Sequence, residues 1–320
     1  MGTALVLFWG DTARSNSAGL LLAVNQVDHT LVIVDPSSGK PVSVVAVGVN
    51  GHEVAVSPDG ALAYVPIYSD VGLGAPGTDG KTIDVVDIRG GKKIYSIDLG
   101  KAVRPHKAIF GKDGMLYVTA ELDNSIYVVD PKSRTVVGSI PTGESQSHMI
   151  AIHEDFAYTA NVESGTVSVL DLKQRKLLGE IHAAPSIQRI TLSPDGELAF
   201  THAKDNRVIV IDTKMRQVKT SIPTPGMPYS SAITSDGKFL IVLMPSETKL
   251  LVIDVGSSKI VHQIAIPSGA TEVFVNPLGE AYVSCFTSGQ LAELNLKTWT
   301  INRMIGLSRG VDGLAWSNSR

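Results

Sequence analysis

Cysteine is almost missing from this chain: Cys285 stands alone among 320 residues, so no internal disulfide can form, although that leaves the redox compartment open. Long apolar runs are missing as well. No stretch approaches the roughly 18 residues of a membrane-spanning helix, so the mature chain is expected to be soluble, with no membrane insertion. Charge of one sign is scarce. Charged residues make up 18% and the formal net charge is -3, which gives no electrostatic footprint for nucleic acid or an anionic membrane. The nucleophile-elbow pattern G-x-S-x-G does not occur. GLGAPG from Gly72 lacks the strand-to-helix setting of a nucleotide fingerprint. What is present is a hydrophobic fraction of 43%, ample for a core without staples.

The start of the chain stands apart. An apolar stretch from Thr3 to Gly10 runs into small residues ending at Ala18 and lacks a positively charged start. Residues 1–17 read as a residual export signal or a gene-fusion scar, expected to be unstructured. Residues 18–320 are expected to form one domain.

The strongest signal is an internal repeat. A β-branched run closed by an acid or its amide recurs seven times: LVIVD ending at Asp35, IDVVD at Asp87, IYVVD at Asp130, VSVLD at Asp171, VIVID at Asp212, LLVID at Asp254 and LAELN at Asn295. After a first interval of 52 residues the spacing is 41 to 43. Each unit also carries a turn such as Ser-Pro-Asp-Gly, at Ser57 to Gly60 and Ser193 to Gly196. Proline presets its own φ there and glycine accepts a positive one. Short apolar runs flank these turns, which predicts four strands per unit, named A to D, with the repeated acid closing C.

Helix signals are nearly absent, and four-stranded units at this period mean propeller blades. The termini complete the ring. VDGLAWS, from Val311 to Ser317, reads as a strand A with no B after it, and GLLLAVN, from Gly19 to Asn25, as a B with no A before it. The expected fold is therefore all-β: a seven-bladed β-propeller of four-stranded antiparallel blades, closed by the C-terminal strand A pairing with the N-terminal strands B to D. Closure removes the sheet edges an open array would expose.

Three segments carry a family resemblance: VAVSPDGALAYV (Val54 to Val65), LYVTAELDNSIYVVD (Leu116 to Asp130) and YTANVESGTVSVLD (Tyr158 to Asp171). The chain resembles the YVTN-repeat propellers, the surface-layer-like and YncE-like family of bacterial proteins, over essentially all of residues 18–320. The resemblance implies the fold and a periplasmic or extracellular setting in a bacterium. It does not choose among lactonases, lyases, copper enzymes and plain binding proteins.

In a propeller, strand A lines the central channel and starts at the face bearing the D-to-A and B-to-C loops. Aligning the blades gives one equivalent position each: His52, His106, His148, Gln188, Tyr229, Thr271 and Asp312. Three consecutive blades thus place a histidine at one level of the channel mouth. Imidazole is the commonest ligand for several transition metals, and three with an open position make a catalytic arrangement. The same imidazoles can instead serve structure, or bind a ligand directly.

The expected cofactor is a divalent metal ion, zinc first, with manganese, calcium and copper as alternatives. Glu53, Lys107, Arg189 and Glu272 are the candidate catalytic neighbours, because cations stabilise developing negative charge and a carboxylate can act as general base. Tyr68, Asp70, Arg104, Glu121, Asn161, Gln188, Tyr229 and Asp312 are candidate substrate contacts, with His202 and Cys285 behind them. The extra residues of the long interval, Tyr68 to Thr82, form an insertion between strands B and C that can overhang this mouth. The expected function is metal-dependent hydrolysis of a lactone, carboxyl ester or phosphotriester by a monomer acting on a small molecule, without a nucleic-acid partner. A non-catalytic binding propeller is the alternative, and copper handling or redox a third reading.

Overall fold

The computed structural model describes residues 19–71, 76–144 and 146–318. Residues 1–17, and residues 72–75 of the insertion, lie outside them. The described residues form seven four-stranded antiparallel sheets. They contain no α-helix, only the one-turn 3₁₀ segments Glu121–Asp123 and Pro245–Glu247. No helix among them is long and apolar enough to cross a membrane.

Blade 1 is shared between the chain ends. Its strand A is Val311–Ser317, which pairs with Leu20–Asn25 in the register Leu20 to Ser317 and Leu22 to Ala315, followed outward by Thr30–Asp35 and Lys40–Ala46. Blades 2 to 7 follow in chain order. Their strands A are Ala55–Val56, Pro105–Phe110, Ser147–His153, Ile187–Leu192, Ser230–Ile233 and Ala270–Val275.

The core follows from this ring. A blade alone has two apolar faces, so each must be covered by a neighbour. Seven hydrophobic clusters result, one at each blade interface. Tyr117, Ile126 and Val128 of blade 3 pack on Ile150, Ala157 and Leu170 of blade 4. Leu21, Val32 and Val34 of blade 1 pack on Tyr282 and Leu291 of blade 7. Strand C is buried on both sides, which is why its sequence is continuously apolar instead of alternating.

The residues closing strand C cap the turn that follows. Asp35, Asp87, Asp130, Asp171, Asp212 and Asp254 each accept a backbone N–H two or three residues on, and Asn295 accepts one from Lys297 through its amide oxygen. Each of these turns ends in a residue of positive φ, from Gly39 to Trp299. Three other histidines are placed as follows. His262 lies on an outer strand and stacks on Trp299, with centroids 5.5 Å apart. His29 sits in the B-to-C turn of blade 1, and its Nδ1 accepts the Asn50 N–H at 3.3 Å. His153 ends strand A of blade 4 and is half-buried.

Candidate functional site

All seven aligned positions lie at the start of strand A, one per blade, at one end of the channel. In blades 3, 4, 5, 7 and 1 the pairing of A with B slips by one residue at this level. A regular strand sends successive side chains to opposite faces. The extra residue of a bulge re-aims them, so that neighbours such as His106 and Lys107 both reach side chains of other blades.

The three imidazoles come together. The rings of His52 and His106 have centroids 5.1 Å apart, and those of His106 and His148 are 3.8 Å apart with a tilt of 40°. Tyr68 meets His52 and His106 edge-on at 5.2 and 5.3 Å. His106 and His148 are buried, and His52 is partly exposed. Burial, reinforced by His148 and His52 beside it, holds the His106 pKa well below the ordinary imidazole value. The ring is therefore neutral, the form that binds a metal.

Carboxylates hold the two flanking rings. His148 Nδ1 contacts Glu121 Oε1, while the Tyr68 hydroxyl donates to Glu121 Oε2 at 2.7 Å. His52 Nδ1 lies 2.7 Å from the Gln26 amide nitrogen and 3.4 Å from Asp312 Oδ2, and that amide also donates to Asp312. The nitrogens left buried without a hydrogen bond are His52 Nε2 and His106 Nδ1. Among the described residues no group of three or more His, Cys, Asp or Glu side chains is disposed to hold a metal ion. His106 and His148 meet ring against ring.

A charged layer spans the channel next to the imidazoles. Glu53 pairs with Lys107 and, across the ring, accepts from Arg189 Nη1 at 3.1 Å. Burial alone would raise the Glu53 pKa, but Lys107 and Arg189 hold it below the usual value. Lys107 is held up by Glu53 and Glu272 against the effect of its own burial. Among the described residues no cation is in direct contact with Glu272, which accepts the Leu314 N–H at 2.7 Å. Burial, with the Glu53 charge nearby, pushes its pKa up to about 8. Asp312 would also be raised by burial, but His52 and Arg189 hold it low.

The remaining candidates are placed less directly. Arg104 lies over the Tyr68 ring at 5.9 Å and is tied to Asp79. Arg189 lies over Tyr229 at 5.1 Å. Gln188 and Thr271 are half-buried, with Thr271 hydrogen-bonded to Ser284 at 3.1 Å. Asp70 is exposed and accepts the Thr78 N–H at 2.7 Å, closing the neck of the insertion. Asn161 is fully buried, and its amide is engaged by Ser147, Thr159, Thr166 and Ser168. Cys285 is buried, which pushes its thiol up to about 11. Gln26 and Asp79 were not singled out from sequence. Gln26 follows strand B of blade 1, so it shares the B-to-C face, but an alignment along strand A passes it by.

Comparison with known proteins adds kinship of limited extent. No protein-family model matches the chain. Two proteins named "Uncharacterized protein YncE", from Salmonella typhimurium and Salmonella typhi, are each 33% identical over 87 residues. The match spans 27% of this chain and 24% of the length of these curated relatives. A chain of Kuenenia stuttgartiensis hydrazine synthase superimposes with a TM-score of 0.76 at 20% identity, covering 88% of this chain and 93% of that one. At that identity the likeness is one of fold. The chain is thus a seven-bladed propeller of four-stranded blades closed in a ring, similar to the YncE proteins over about a quarter of its length.

Proposed function

We propose that this propeller is a metal-dependent hydrolase of esters, with His52, His106 and His148 holding a divalent ion, zinc first, at the channel mouth. One observation carries the reading: carboxylates face Nδ1 of both flanking imidazoles, Asp312 at His52 and Glu121 at His148. Such partners orient a ring and raise its basicity in metal sites, and here they leave its Nε2 for a ligand. Bringing three nitrogens to one point requires His106 to swing off the face of His148.

A bound ion would supply Lewis acidity, polarising a carbonyl or phosphoryl oxygen and bringing water's pKa to near neutrality. The chain's own groups divide the remaining tasks. Glu53 and Glu272 share one layer with pKa values driven in opposite directions, the pattern that separates a base from an acid. Glu53 is ionised and can accept a proton, while Glu272 is protonated and can donate one. Lys107 and Arg189 remain cationic and stabilise negative charge developing on the attacked oxygen. Tyr68, Arg104, Gln188 and Tyr229 surround the mouth and orient the substrate. Lactones, carboxyl esters and neutral phosphotriesters all suit this chemistry.

The close, tilted contact of His106 with His148 favours a second reading, a non-catalytic site that binds a small ligand directly on these rings. Turnover of an activated aryl ester separates the two. The hydrolase reading expects turnover to vanish with a chelator, return with zinc, and fall by about 100-fold or more in His52→Ala, His106→Ala and His148→Ala, each folded by circular dichroism. Turnover no faster than the uncatalysed reaction, or indifferent to chelation and to all three substitutions, would remove the hydrolase reading, and the first of these outcomes would leave the binding one.

A further inference from the structure

The other half of the channel has a different chemistry. Beyond the layer of Glu53, Lys107, Arg189 and Glu272 lie two neighbouring cavities. One of about 250 Å³ is lined by Lys107, Arg189 and Glu272 together with Thr191, Ser230 and Ser231. The next, about 540 Å³, shares Lys107, Glu272, Ile233 and Phe274 with the first and opens toward the A-to-B turns, the end opposite the histidines. Its walls are mostly apolar, with Val56, Phe110, Ile233, Phe274, Pro277 and Trp316 among them.

A polar cradle at the bottom of an apolar vestibule is the form of a small-molecule site, and 540 Å³ falls within the usual range for one. The cradle has unused capacity. Arg189 is 5% exposed, yet its Nε is buried without a hydrogen bond. Leaving such a group unsatisfied is unfavourable in an apolar setting. Lys107 and Arg189 both line the smaller cavity, and the single carboxylate of Glu53 is the ion-pair partner of both.

We propose that this half of the channel binds a single-chain carboxylate, its head at Arg189 and Lys107 and its hydrocarbon tail among Phe110, Phe274 and Trp316. Charge complementarity selects the head, and the apolar walls select the tail. A guanidinium donates charge-assisted hydrogen bonds to a carboxylate, roughly twice as strong as neutral ones. The tail gains by leaving water, about 0.8 kcal/mol per buried methylene. The proposal does not depend on metal at the opposite mouth.

The test is calorimetric titration of the full-length protein with decanoate, with decanol and acetate as probes lacking the charge or the tail. Saturable binding of decanoate, at least about tenfold tighter than either comparator, is expected. Quenching of Trp316 fluorescence should accompany it and disappear in Trp316→Phe while the heat of binding remains. Phe274→Glu should abolish binding, with Val56→Glu serving if that variant does not fold. Arg189→Gln should erase the preference for decanoate over decanol. His106→Ala should bind decanoate as the wild type does, so this proposal and the hydrolase reading fail separately. Absence of saturable decanoate binding, equal binding of decanol, or binding that survives both vestibule substitutions would overturn it.

Discussion

His202 is the penultimate residue of strand B of blade 5, near Arg189, and both its ring nitrogens are buried without a hydrogen bond. Burial first, and the Arg189 charge second, depress its pKa to about 3. The unfolded chain regains an ordinary imidazole near 6.5. Below that value the unfolded state takes up a proton that the folded state refuses, so stability is complete above about pH 6.5 and declines as the pH falls toward 3. The slope from this residue is on the order of 1.4 kcal/mol per pH unit. Urea midpoints at pH 7.5 and 4.5 check this. His202→Leu should lose markedly less stability between the two values than the wild type, and an equal loss would show that His202 does not carry the effect. Replacing a polar group that lacks a partner with an apolar one is close to neutral or stabilising, so the variant should not be weaker at pH 7.5.

Among the elements, tight turns divide into those limited by φ and those limited by space. Gly114 has φ +77° with open space around an added Cβ, whereas a Cβ on Gly165, at φ +66°, would lie 1.7 Å from the Ala184 carbonyl oxygen. Gly114→Ala should therefore destabilise by about 1 kcal/mol, the strain of the backbone region alone. Gly165→Ala should cost clearly more, because backbone cannot yield as a side chain can. Denaturant unfolding of the two variants measures the difference, and equal losses would contradict it. Such turns were legible in the sequence because their chemistry is local: proline, Asp and Gly act within four residues, as at Ser57 to Gly60, and Asn295 caps its turn just as the aspartates do. The bulges of strand A were not legible. A register slip depends on the partner strand, and it is the slip that lets Lys107 and Arg189 join the channel beside His106 and Gln188. The partners Gln26 and Asp79 stayed hidden for a similar reason, since each works across a turn or between blades.

At the scale of the whole molecule, the last strand is the closure of the ring. Val311–Ser317 supplies Leu314 and Trp316 to the cluster between blades 7 and 1, Ala315 to that between blades 1 and 2, and Asp312 to the His52 pair. Removing residues 311–320 should therefore open two interfaces, expose strand edges and replace cooperative unfolding with aggregation. Light scattering and a denaturant melt of the truncated chain check this, and a monomeric, cooperatively folded product would contradict it. The same closure made the ring legible from the unmatched strands at the two termini, and a fixed repeat made the seven axial positions countable. What the repeat could not convey is ring orientation: it placed three histidines at one level, but not the close, tilted contact of His106 with His148. That orientation decides between an ion and a directly bound ligand, and anomalous diffraction at the zinc edge, from crystals of the full-length protein equilibrated with zinc, reads it. The account predicts one axial peak about 2.0 to 2.1 Å from a ring nitrogen of each of His52, His106 and His148, with His106 turned off its neighbour. Density confined to surface sites, with those two rings still in their tilted contact, would contradict it.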